Sequence, residues 1–369
     1  MFLADANIDE IHHQLTKLEE ENPGCGLVLM GEEEAPSLEA LTAALDQSQL
    51  TYMGGIFPGI IYDTQQYTKG CLIYWFPGVK AVHLIPGTPD SQRTFSGLQG
   101  QEDRYGPTAF MLTDGLSPNI SGMLSYVFNC LGHTVNYLGG GAGSLSLQPA
   151  PCLFSHHGVF QDATLLAFLP WQAKLGVRHG WQKVTGPFVA TRTNGNLIEE
   201  LNWQPAYNVY KEVVEQDSGR ELTHEGFFPI AKGYPFGIYK EGSEDVVRDP
   251  ISATPEGGLM CVGMVPENSV LNILKGAPES LVASARQAAT DSYLHADKGS
   301  KNLIVDCISR VLFLEEDFHR ELEAVKEALE GQTPSGILSL GEISSNGEGF
   351  LEFFNKTIVS ATYSENAPD

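Results

Sequence analysis

The sequence VTGPFVATRTNGNLIEELNWQPAYNVYKEV, residues 184–213, contains the change of pattern on which the predicted organisation depends. Phe188–Thr193 is strand-like, and Asn194-Gly195 is a strong signal for a tight β-hairpin turn. After Pro205 the apolar spacing predicts a helix over Ala206–Glu215. The stretch therefore ends a strand-rich part of the chain and begins a second half.

Strand-like segments precede this stretch at short intervals. They are Val159–Phe160, Thr164–Leu169 and Val177–Val184. Short strands separated by turn residues are typical of antiparallel hairpins. We therefore expect an antiparallel meander over the central part of the chain, from Phe154 to Arg192.

Helices and strands alternate on both sides of this centre. The chain opens with a helix, a buried strand over Cys25–Met30 and a second helix from about Ser37. The other predicted segments are strands at Cys71–Phe76, Val79–Ile85, Thr108–Thr113, Leu259–Val265, Leu303–Cys307, Gly336–Ile343 and Leu351–Thr362, and helices at Asn119–Leu131, Pro278–Ala289 and Glu315–Glu330. The order lacks the regular rhythm of a doubly wound parallel sheet. The sequence thus predicts an α+β fold with mixed or mostly antiparallel sheets flanked by helices.

Composition limits the classes of function. The chain has 369 residues, with 22 Lys and Arg against 46 Asp and Glu, so its formal charge is −24. Such a surface repels phosphate backbones and anionic headgroups, which argues against nucleic-acid binding. No stretch approaches the roughly 20 apolar residues of a membrane span, and the start lacks a signal-peptide pattern. We expect a cytoplasmic protein without membrane insertion.

Cysteine, histidine and glycine patterns indicate neither a metal site nor a phosphate site. The six cysteines have no C-x-x-C spacing, which favours reduced and mostly buried thiols. Adjacent histidines, as in His12-His13 and His156-His157, point in different directions on a helix or a strand and do not chelate naturally. Leu138–Gly143, LGGGAG, lacks the dinucleotide-binding spacing and precedes a strand-like Ser144–Gln148, so it predicts a tight strand connection.

His179 and Trp181 are the first candidate binding residues. They lie in the strand-like segment Val177–Trp181, VRHGW. Residues two apart in a strand share a face, so the two side chains would line one cavity or one part of the core. A core histidine that is hydrogen-bonded to a carbonyl is the alternative.

Cys307, Arg310 and Glu342 are the C-terminal candidates. A thiol that follows an apolar strand is either inert packing or, beside cations, a nucleophile. Arg310 and Glu342 are each predicted to end a strongly apolar strand, where ligands often meet a sheet, and we expect them within about 10 Å of each other. A salt bridge between strand ends is the alternative. The chain has no G-x-S-x-G elbow for a nucleophilic serine.

Several segments together resemble the FIST family, a pairing of FIST-N and FIST-C regions found in bacterial signalling proteins and in some F-box proteins. The matching segments are LGGGAG (138–143), VRHGW (177–181), the stretch at 184–213, DCISRVLFLEEDFHREL (306–322), PSGILSLGEI (334–343) and FFNKTIVSATYSE (353–365). The resemblance implies a FIST-N-like region over residues 1–203, a FIST-C-like region over 204–365 and a tail at 366–369, with no kinase, cyclase or methyl-acceptor output region.

The resemblance also implies a function. It indicates a stand-alone intracellular sensory module that binds a small ligand, such as an amino acid, and signals through a separate protein such as a histidine kinase or a cyclase. Some relatives are haem proteins that sense nitric oxide and regulate histidine kinases, so haem with His179 as axial ligand is one alternative. A hydrolase or transferase that uses Cys307, Arg310 and Glu342 is the other. We expect the sensor, without intrinsic turnover.

One departure from the family pattern concerns the final motif. The family often has N-Q-T there, whereas this chain has Asn355-Lys356-Thr357. Asn355 is added to the predicted ligand-binding residues on the strength of this motif. Strand alternation predicts a solvent-facing Lys356, and an inward Lys356 would favour an anionic ligand.

Overall fold

The computed structural model describes residues 1–87, 106–240, 244–294, 296, 299–345 and 351–365. Within these ranges the strands form four sheets, three of six strands and one of seven, and helices flank them. The sheets mix parallel and antiparallel pairs. This arrangement confirms the predicted α+β class.

The first 77 residues establish an order of elements that recurs along the chain. An edge strand and a helix lead to two parallel strands joined by a second helix, and a hairpin and a returning strand follow. These elements are β1 (Phe2–Leu3), α1 (Ile8–Glu21), β2 (Gly24–Gly31), α2 (Leu38–Leu45), β3 (Thr51–Phe57), β4 (Gly59–Tyr62), β5 (Gln65–Tyr67) and β6 (Cys71–Pro77). β2 and β3 are parallel, and β6 returns antiparallel to β2.

The described elements of a second unit follow the same order, with an edge strand, two parallel strands joined by a helix, a hairpin and a returning strand. Its described elements are β7 (His83–Pro86), β8 (Thr108–Asp114), α3 (Ile120–Leu131), β9 (Asn136–Ala142), β10 (Leu153–Ser155), β11 (Gly158–Phe160) and β12 (Ala163–Leu169). β8 and β9 are parallel, and β12 returns antiparallel to β8.

The third unit repeats it again, with a large insertion after its edge strand. Its own elements are β13 (Lys174–Arg178), α6 (Pro278–Tyr293), β21 (Lys301–Cys307), α7 (Ile308–Leu314), α8 (Phe318–Ala328), β22 (Ser335–Ser339), β23 (Glu342–Ser345), β24 (Glu352–Phe354) and β25 (Ile358–Tyr363). β21 and β22 are parallel, and β25 returns antiparallel to β21. Two helices, α7 and α8, cross between the parallel strands here, where the first two units use one.

Each hairpin pairs with the sheet of another unit rather than with its own. β4 pairs with β22, β10 pairs with β3, and β23 pairs with β9, all antiparallel. The three sheets therefore have the same strand order, namely β1-β6-β2-β3-β10-β11, β7-β12-β8-β9-β23-β24 and β13-β25-β21-β22-β4-β5. The three units are joined by a cyclic exchange of hairpins.

The inner faces of the three sheets meet in one apolar core. Leu27 of β2, Phe110 of β8 and Val305 of β21 belong to this shared core, and all three are buried. Successive strand residues face opposite sides, so their neighbours pack outward under the helices. Val28, for example, lies beneath α1 and α2. We call this three-sheet body the core.

The insertion between β13 and α6 is a small antiparallel barrel. Its elements are β14 (Gln182–Asn194), β15 (Leu197–Leu201), β16 (Gln204–Pro205), α4 (Ala206–Ser218), α5 (Phe227–Ala231), β17 (Phe236–Ile238), β18 (Val246–Ala253), β19 (Leu259–Val262) and β20 (Val270–Lys275). The pairing runs β14-β20-β17-β18-β19-β15 and returns to β14, which closes the ring. A separate apolar cluster that includes Tyr210 of α4 fills it. We call this body, with α4 and α5, the barrel.

Three of the following local predictions were wrong, and one was confirmed with its loop displaced by one residue. The expected central meander does not form, because β10, β12, β13 and β14 lie in four different sheets. Alternation and turn signals identify strands but not their partners. The predicted hairpin at Asn194-Gly195 is confirmed, with Gly195-Asn196 as the two-residue loop of β14 and β15. Ser144–Gln148 is a turn segment, not a strand, and Gly336–Ile343 is divided between β22 and β23.

The glycine cluster lies within a strand rather than in a connection. Gly139–Gly141 belong to β9. A Cβ atom at Gly140 would lie 2.9 Å from Val305 and 3.0 Å from Ile337, across the core in the third sheet. The absence of side chains thus lets the second and third sheets approach closely.

Candidate functional site

The barrel and the core meet at the connection between β24 and β25. Its residues Asn355, Lys356 and Thr357 are at most 2% exposed. Lys356 has a left-handed backbone, with φ 54°. The corresponding connections of the first two units also contain a left-handed residue, Gly70 with φ 87° and Asp162 with φ 50°. The third unit thus places a lysine where the repeated fold needs an uncommon conformation.

Lys356 turns inward, which contradicts the solvent-facing prediction. Its ammonium lies 3.0 Å from Asp249 Oδ2 of β18 and donates to the carbonyl of Lys232 at 2.9 Å. It also lies 4.6 Å from the centroid of the Trp181 ring, a cation–π distance. Strand alternation failed because residues 355–357 form a bend outside the flanking strands. The anion that Lys356 contacts is a side chain of the chain itself.

Arg248 anchors the opposite side of the same connection. This buried guanidinium donates to the carbonyl of Phe353 at 3.1 Å and to Asn355 Oδ1 at 3.4 Å. Its Nε donates to the carbonyl of Met264 at 2.9 Å. Burial lowers the pKa of Arg248 from its ordinary value. Arg248 and Asp249 of the barrel therefore both bind the core residues 355–356.

Arg310 is the largest fully buried side chain near this connection. Both Nε and Nη2 donate to the carboxylate of Glu321, at 2.9 and 2.7 Å. The remaining donors bind the backbone carbonyls of His179 at 2.6 Å, Leu281 at 3.1 Å and Lys356 at 3.4 Å. Such a bidentate, fully satisfied arginine joins His179, α6, α8 and residues 355–357. Arg310 lies in α7, not at a strand end as the sequence had suggested.

Asp306 adds a second carboxyl to the arginine. Its Oδ1 lies 3.2 Å from Arg310 Nε, but neither of its oxygens has a hydrogen-bond partner within the described residues. Burial, and next the negative charge of Glu321, raise the pKa of Asp306 well above its ordinary value. Arg310 therefore lies between two buried carboxyls, and only Glu321 forms hydrogen bonds with it.

Glu342 is a third buried carboxyl, at the start of β23. The Ser339 hydroxyl donates to its Oε1 at 2.6 Å and the Thr357 amide donates to its Oε2 at 3.3 Å. Burial raises the pKa of Glu342 to about 8, although these hydrogen bonds and the charge of Arg310 act in the opposite direction. Glu342 and Arg310 thus contact adjacent residues of the same connection.

Cys307 lies beside Glu342 and is only 2% exposed. Burial, followed by the nearby Glu342 carboxyl, raises the pKa of the thiol well above its ordinary value. A reactive cysteine needs a lowered pKa and access to solvent, and Cys307 has neither. All six cysteines are free and five are buried, as the sequence analysis predicted.

His179 and Trp181 lie between β13 and β14 rather than within a strand. Gly180, with φ 77°, turns the chain so that the Trp181 amide donates to His179 Nδ1 at 2.9 Å. His179 Nε2 lies 2.9 Å from Glu244, and Trp181 Nε1 donates to the carbonyl of Lys356 at 3.0 Å. Both side chains are buried in one region, as expected, but a local hydrogen bond produces this arrangement rather than strand alternation.

The six residues singled out from the sequence therefore meet in one region. His179, Trp181, Cys307, Arg310, Glu342 and Asn355 all contact the 355–357 connection or a residue bound to it. Their partners Asp249, Lys232, Glu244 and Glu321 were missed. Only Arg248-Asp249 had a signal in the sequence, since two adjacent charges inside an apolar strand indicate a buried ion pair.

A cleft of 690 Å³ opens next to this region, on the surface between barrel and core. The barrel contributes Phe228 of α5 and Lys232, and the core contributes α7, α8 and the turn between β4 and β5. The Lys232 ammonium donates to the carbonyl of Leu312 at 3.1 Å and to Glu315 at 2.6 Å. Since the carbonyl of Lys232 accepts from Lys356, one residue links the cleft wall to the buried cluster.

Two searches of the described residues had negative results. No group of three or more His, Cys, Asp or Glu side chains has metal-binding geometry in these ranges. No helix in the described part of the chain is long and apolar enough to cross a membrane.

Comparisons with known proteins identify two family regions. The FIST N domain model matches residues 25–204, and the FIST C domain model matches residues 206–345. Together the two models cover most of the chain. No curated protein matches the sequence.

Proposed function

Because the chain belongs to the FIST family of sensory signal-transduction proteins, we propose that it binds a small ligand in the cleft between barrel and core. The ligand is an amino acid or a similar metabolite. A separate signalling protein, such as a histidine kinase or a cyclase, responds to the bound state.

The location of the cleft is the observation that carries this proposal. Two bodies with separate apolar cores line it, so a ligand there touches both. Its volume is within the range of about 300–1,000 Å³ that is usual for small-molecule sites. Phe228 of the barrel is 39% exposed in this wall, which provides apolar surface for a ligand to cover.

A ligand can shift the protein between two conformations only if it binds one of them more tightly than the other. Lys232 supports such a difference because its side chain is in the cleft while its carbonyl binds the buried Lys356. Movement of α5 towards a ligand would alter the Lys356–Asp249 contact. We propose that this change in barrel–core docking is what the partner protein senses.

The six residues predicted from the sequence have a connecting role in this proposal. Their polar atoms bind other parts of the chain, and they transmit displacement of the barrel to the core. Direct ligand contact by His179, Trp181, Cys307, Arg310, Glu342 or Asn355 stays a prediction. It is tested by substituting Asn355→Ala and measuring ligand affinity with the fold checked by circular dichroism.

The haem alternative does not fit the residues around His179. An axial ligand needs a ring nitrogen with a free lone pair. His179 Nδ1 accepts from the Trp181 amide and Nε2 lies 2.9 Å from Glu244. Burial acts to raise the pKa of Glu244, but the hydrogen bond and charge of His179, with the charge of Arg178, lower it overall. His179 is therefore held by Glu244.

The enzyme alternative lacks an activated nucleophile. Burial keeps the Cys307 thiol protonated, and Glu342 with a pKa of about 8 is mostly neutral at pH 7. Both lie away from the cleft lining. Multiple turnover of a ligand that is lost on Cys307→Ala would nevertheless establish the enzyme and replace the sensor.

The proposal is tested by a thermal-shift screen of amino acids and organic acids, followed by calorimetric titration of each hit. We expect Phe228→Ala to weaken binding at least tenfold. Tyr239→Ala, an aromatic residue that is 54% exposed outside the cleft, is the matched control and should bind like the wild type. A hit whose affinity is equal in Phe228→Ala and wild type would exclude the cleft.

The signalling step needs a second titration. Ligand affinity is measured with and without a candidate partner, namely a histidine kinase or a cyclase. If the ligand favours the conformation that binds the partner, the partner should change the affinity for the ligand by some factor. The ligand should then change the affinity for the partner by the same factor, typically about 5–150-fold. Equal affinities would refute the coupling.

A further inference from the structure

The charged groups around the cleft differ in whether other residues of the chain already bind them. Lys232 is already paired, since its ammonium donates to the Leu312 carbonyl at 3.1 Å and to Glu315 Oε1 at 2.6 Å. Glu315 keeps its second oxygen, and Glu316 has no ion pair or hydrogen bond to its carboxylate within the described residues. The unused charge on the cleft is therefore negative.

The histidine at the cleft also presents an acceptor. His319 Nδ1 lies 2.6 Å from the carbonyl oxygen of Glu316. A carbonyl can only accept, so Nδ1 carries the proton and, in the neutral ring, Nε2 has a free lone pair. Carboxylate oxygens and this nitrogen are the acceptors on the side of α7 and α8, whereas Thr64, Gln65 and Gln66 on the opposite side are neutral polar groups. The lining residues therefore include no unpaired cation.

The floor of the cleft is apolar. Phe228, Val311, Leu312, Phe318 and Leu322 contribute to the lining, from both barrel and core. An apolar floor below an acceptor rim matches a molecule with an apolar body and a donor-bearing, positively charged end. The formal charge of −24 on the whole chain favours the approach of such a cation and opposes an anion.

We propose that the cleft selects an amphipathic organic ammonium ion, with its alkyl or aryl body on Phe228 and Leu322 and its ammonium group between Glu316 and His319. This inference rests on the proposed function and adds the charge class of the ligand. An anionic ligand would have to share Lys232 with Glu315 and would face the unpaired Glu316 carboxylate. A purely apolar ligand would leave the acceptors of the rim without donors.

The test compares three probes of equal length, namely n-hexylammonium, n-hexanoate and n-hexanol, by calorimetric titration of the full chain. We expect hexylammonium to bind at least tenfold more tightly than the other two, with affinity falling as salt rises. Glu316→Gln should weaken hexylammonium binding about threefold to tenfold, a loss expected for one partly exposed charge pair. Glu323→Gln removes an exposed carboxylate of α8 outside the cleft lining and should have no effect.

Charge reversal sharpens the result. Glu316→Lys should reverse the order, so that hexanoate binds more tightly than hexylammonium. Tighter or equal binding of hexanoate by the wild type would overturn the charge assignment while leaving the cleft as a ligand site. Failure of hexylammonium to bind at millimolar concentration would also overturn the charge assignment. The proposed function is refuted by a different result, namely that Phe228→Ala leaves the binding of every screened hit unchanged.

Discussion

The first two units of the core and the third differ at one place within the same topology. In the first unit α2 packs against β11 of the exchanged hairpin, and in the second α3 packs against β24. In the third, Phe318 and Leu322 of α8 lie across an open cleft from the turn of the β4–β5 hairpin. The third crossover, residues 308–334, is longer than the first, residues 32–50, and the second, residues 115–135. The cleft lies where the repetition is interrupted.

The third unit also carries the barrel and the buried charges. Crossover α2 of the first unit buries leucines, namely Leu38, Leu41 and Leu45. The third crossover also buries apolar residues, such as Leu314 and Leu322, but in addition it buries Arg310 with Glu321 as its partner. Repeated apolar packing maintains the core, and the departures from it are concentrated at the seam with the barrel. The difference between units therefore distinguishes structural positions from candidate functional ones.

The largest effect should follow from removing the buried arginine. Arg310→Met leaves Glu321 as an unpaired buried charge, and we expect the free energy of unfolding to fall by about 3–5 kcal/mol. Arg286→Met is the matched control, because its ion pair with Glu327 is 50% and 66% exposed and contributes below about 1 kcal/mol. Urea denaturation measures both. If both variants lose the same free energy of unfolding, the buried Arg310 stabilises the third crossover no more than an exposed ion pair does.

A somewhat smaller effect should separate two lysines in corresponding connections. Lys356→Met removes the buried partner of Asp249 and should cost about 3 kcal/mol, moderated because burial already raises the pKa of that aspartate. Lys69→Met, beside Gly70 in the first unit, breaks only an exposed 3.6 Å contact to Glu34 and should cost below about 1 kcal/mol. A Lys356→Met variant as stable as Lys69→Met would contradict the proposed barrel–core link.

The last effect is a dependence on pH, and its size per pH unit is the smallest of the three. The pKa of Glu342 is raised from 4.5 to about 8, so the folded state holds a proton that the unfolded state releases between these values. The contribution of Glu342 to stability is complete below about pH 4.5 and is lost as the pH rises through 8. Wild type should lose stability relative to Glu342→Gln by at most about 1.4 kcal/mol per pH unit in this window. Parallel stability curves from pH 5 to about 8, with Glu323→Gln as control, would refute the raised pKa.

Sequence reasoning found most elements but few of their partners. The spacing of Ile11 and Leu15 and the run Cys25–Met30 identify a helix and a buried strand that the structure confirms. Nothing local indicates that β4 pairs with β22, because the hydrophobic pattern of a strand does not encode which strand lies beside it. The threefold repetition was missed for the same reason.

The candidate site shows the same division. Arg310 and Glu342 were chosen because each was predicted to end an apolar strand, and His179 because it was predicted to share a strand face with Trp181. The structure brings all three to one connection. The predicted orientation of Lys356 failed because its left-handed backbone interrupts the alternation of a strand. The cleft could not be predicted, since α5, α8 and the β4–β5 turn are distant in sequence.

The exchange of hairpins has a consequence for synthesis of the chain. The β4–β5 hairpin leaves the ribosome early, but its partner strand Ser335–Ser339 follows more than two hundred residues later. At translation rates of roughly 5–20 residues per second, the hairpin waits on the order of tens of seconds for that strand. Because no sheet of the third unit exists before then, the nascent chain must carry an unpaired strand edge through most of its own production.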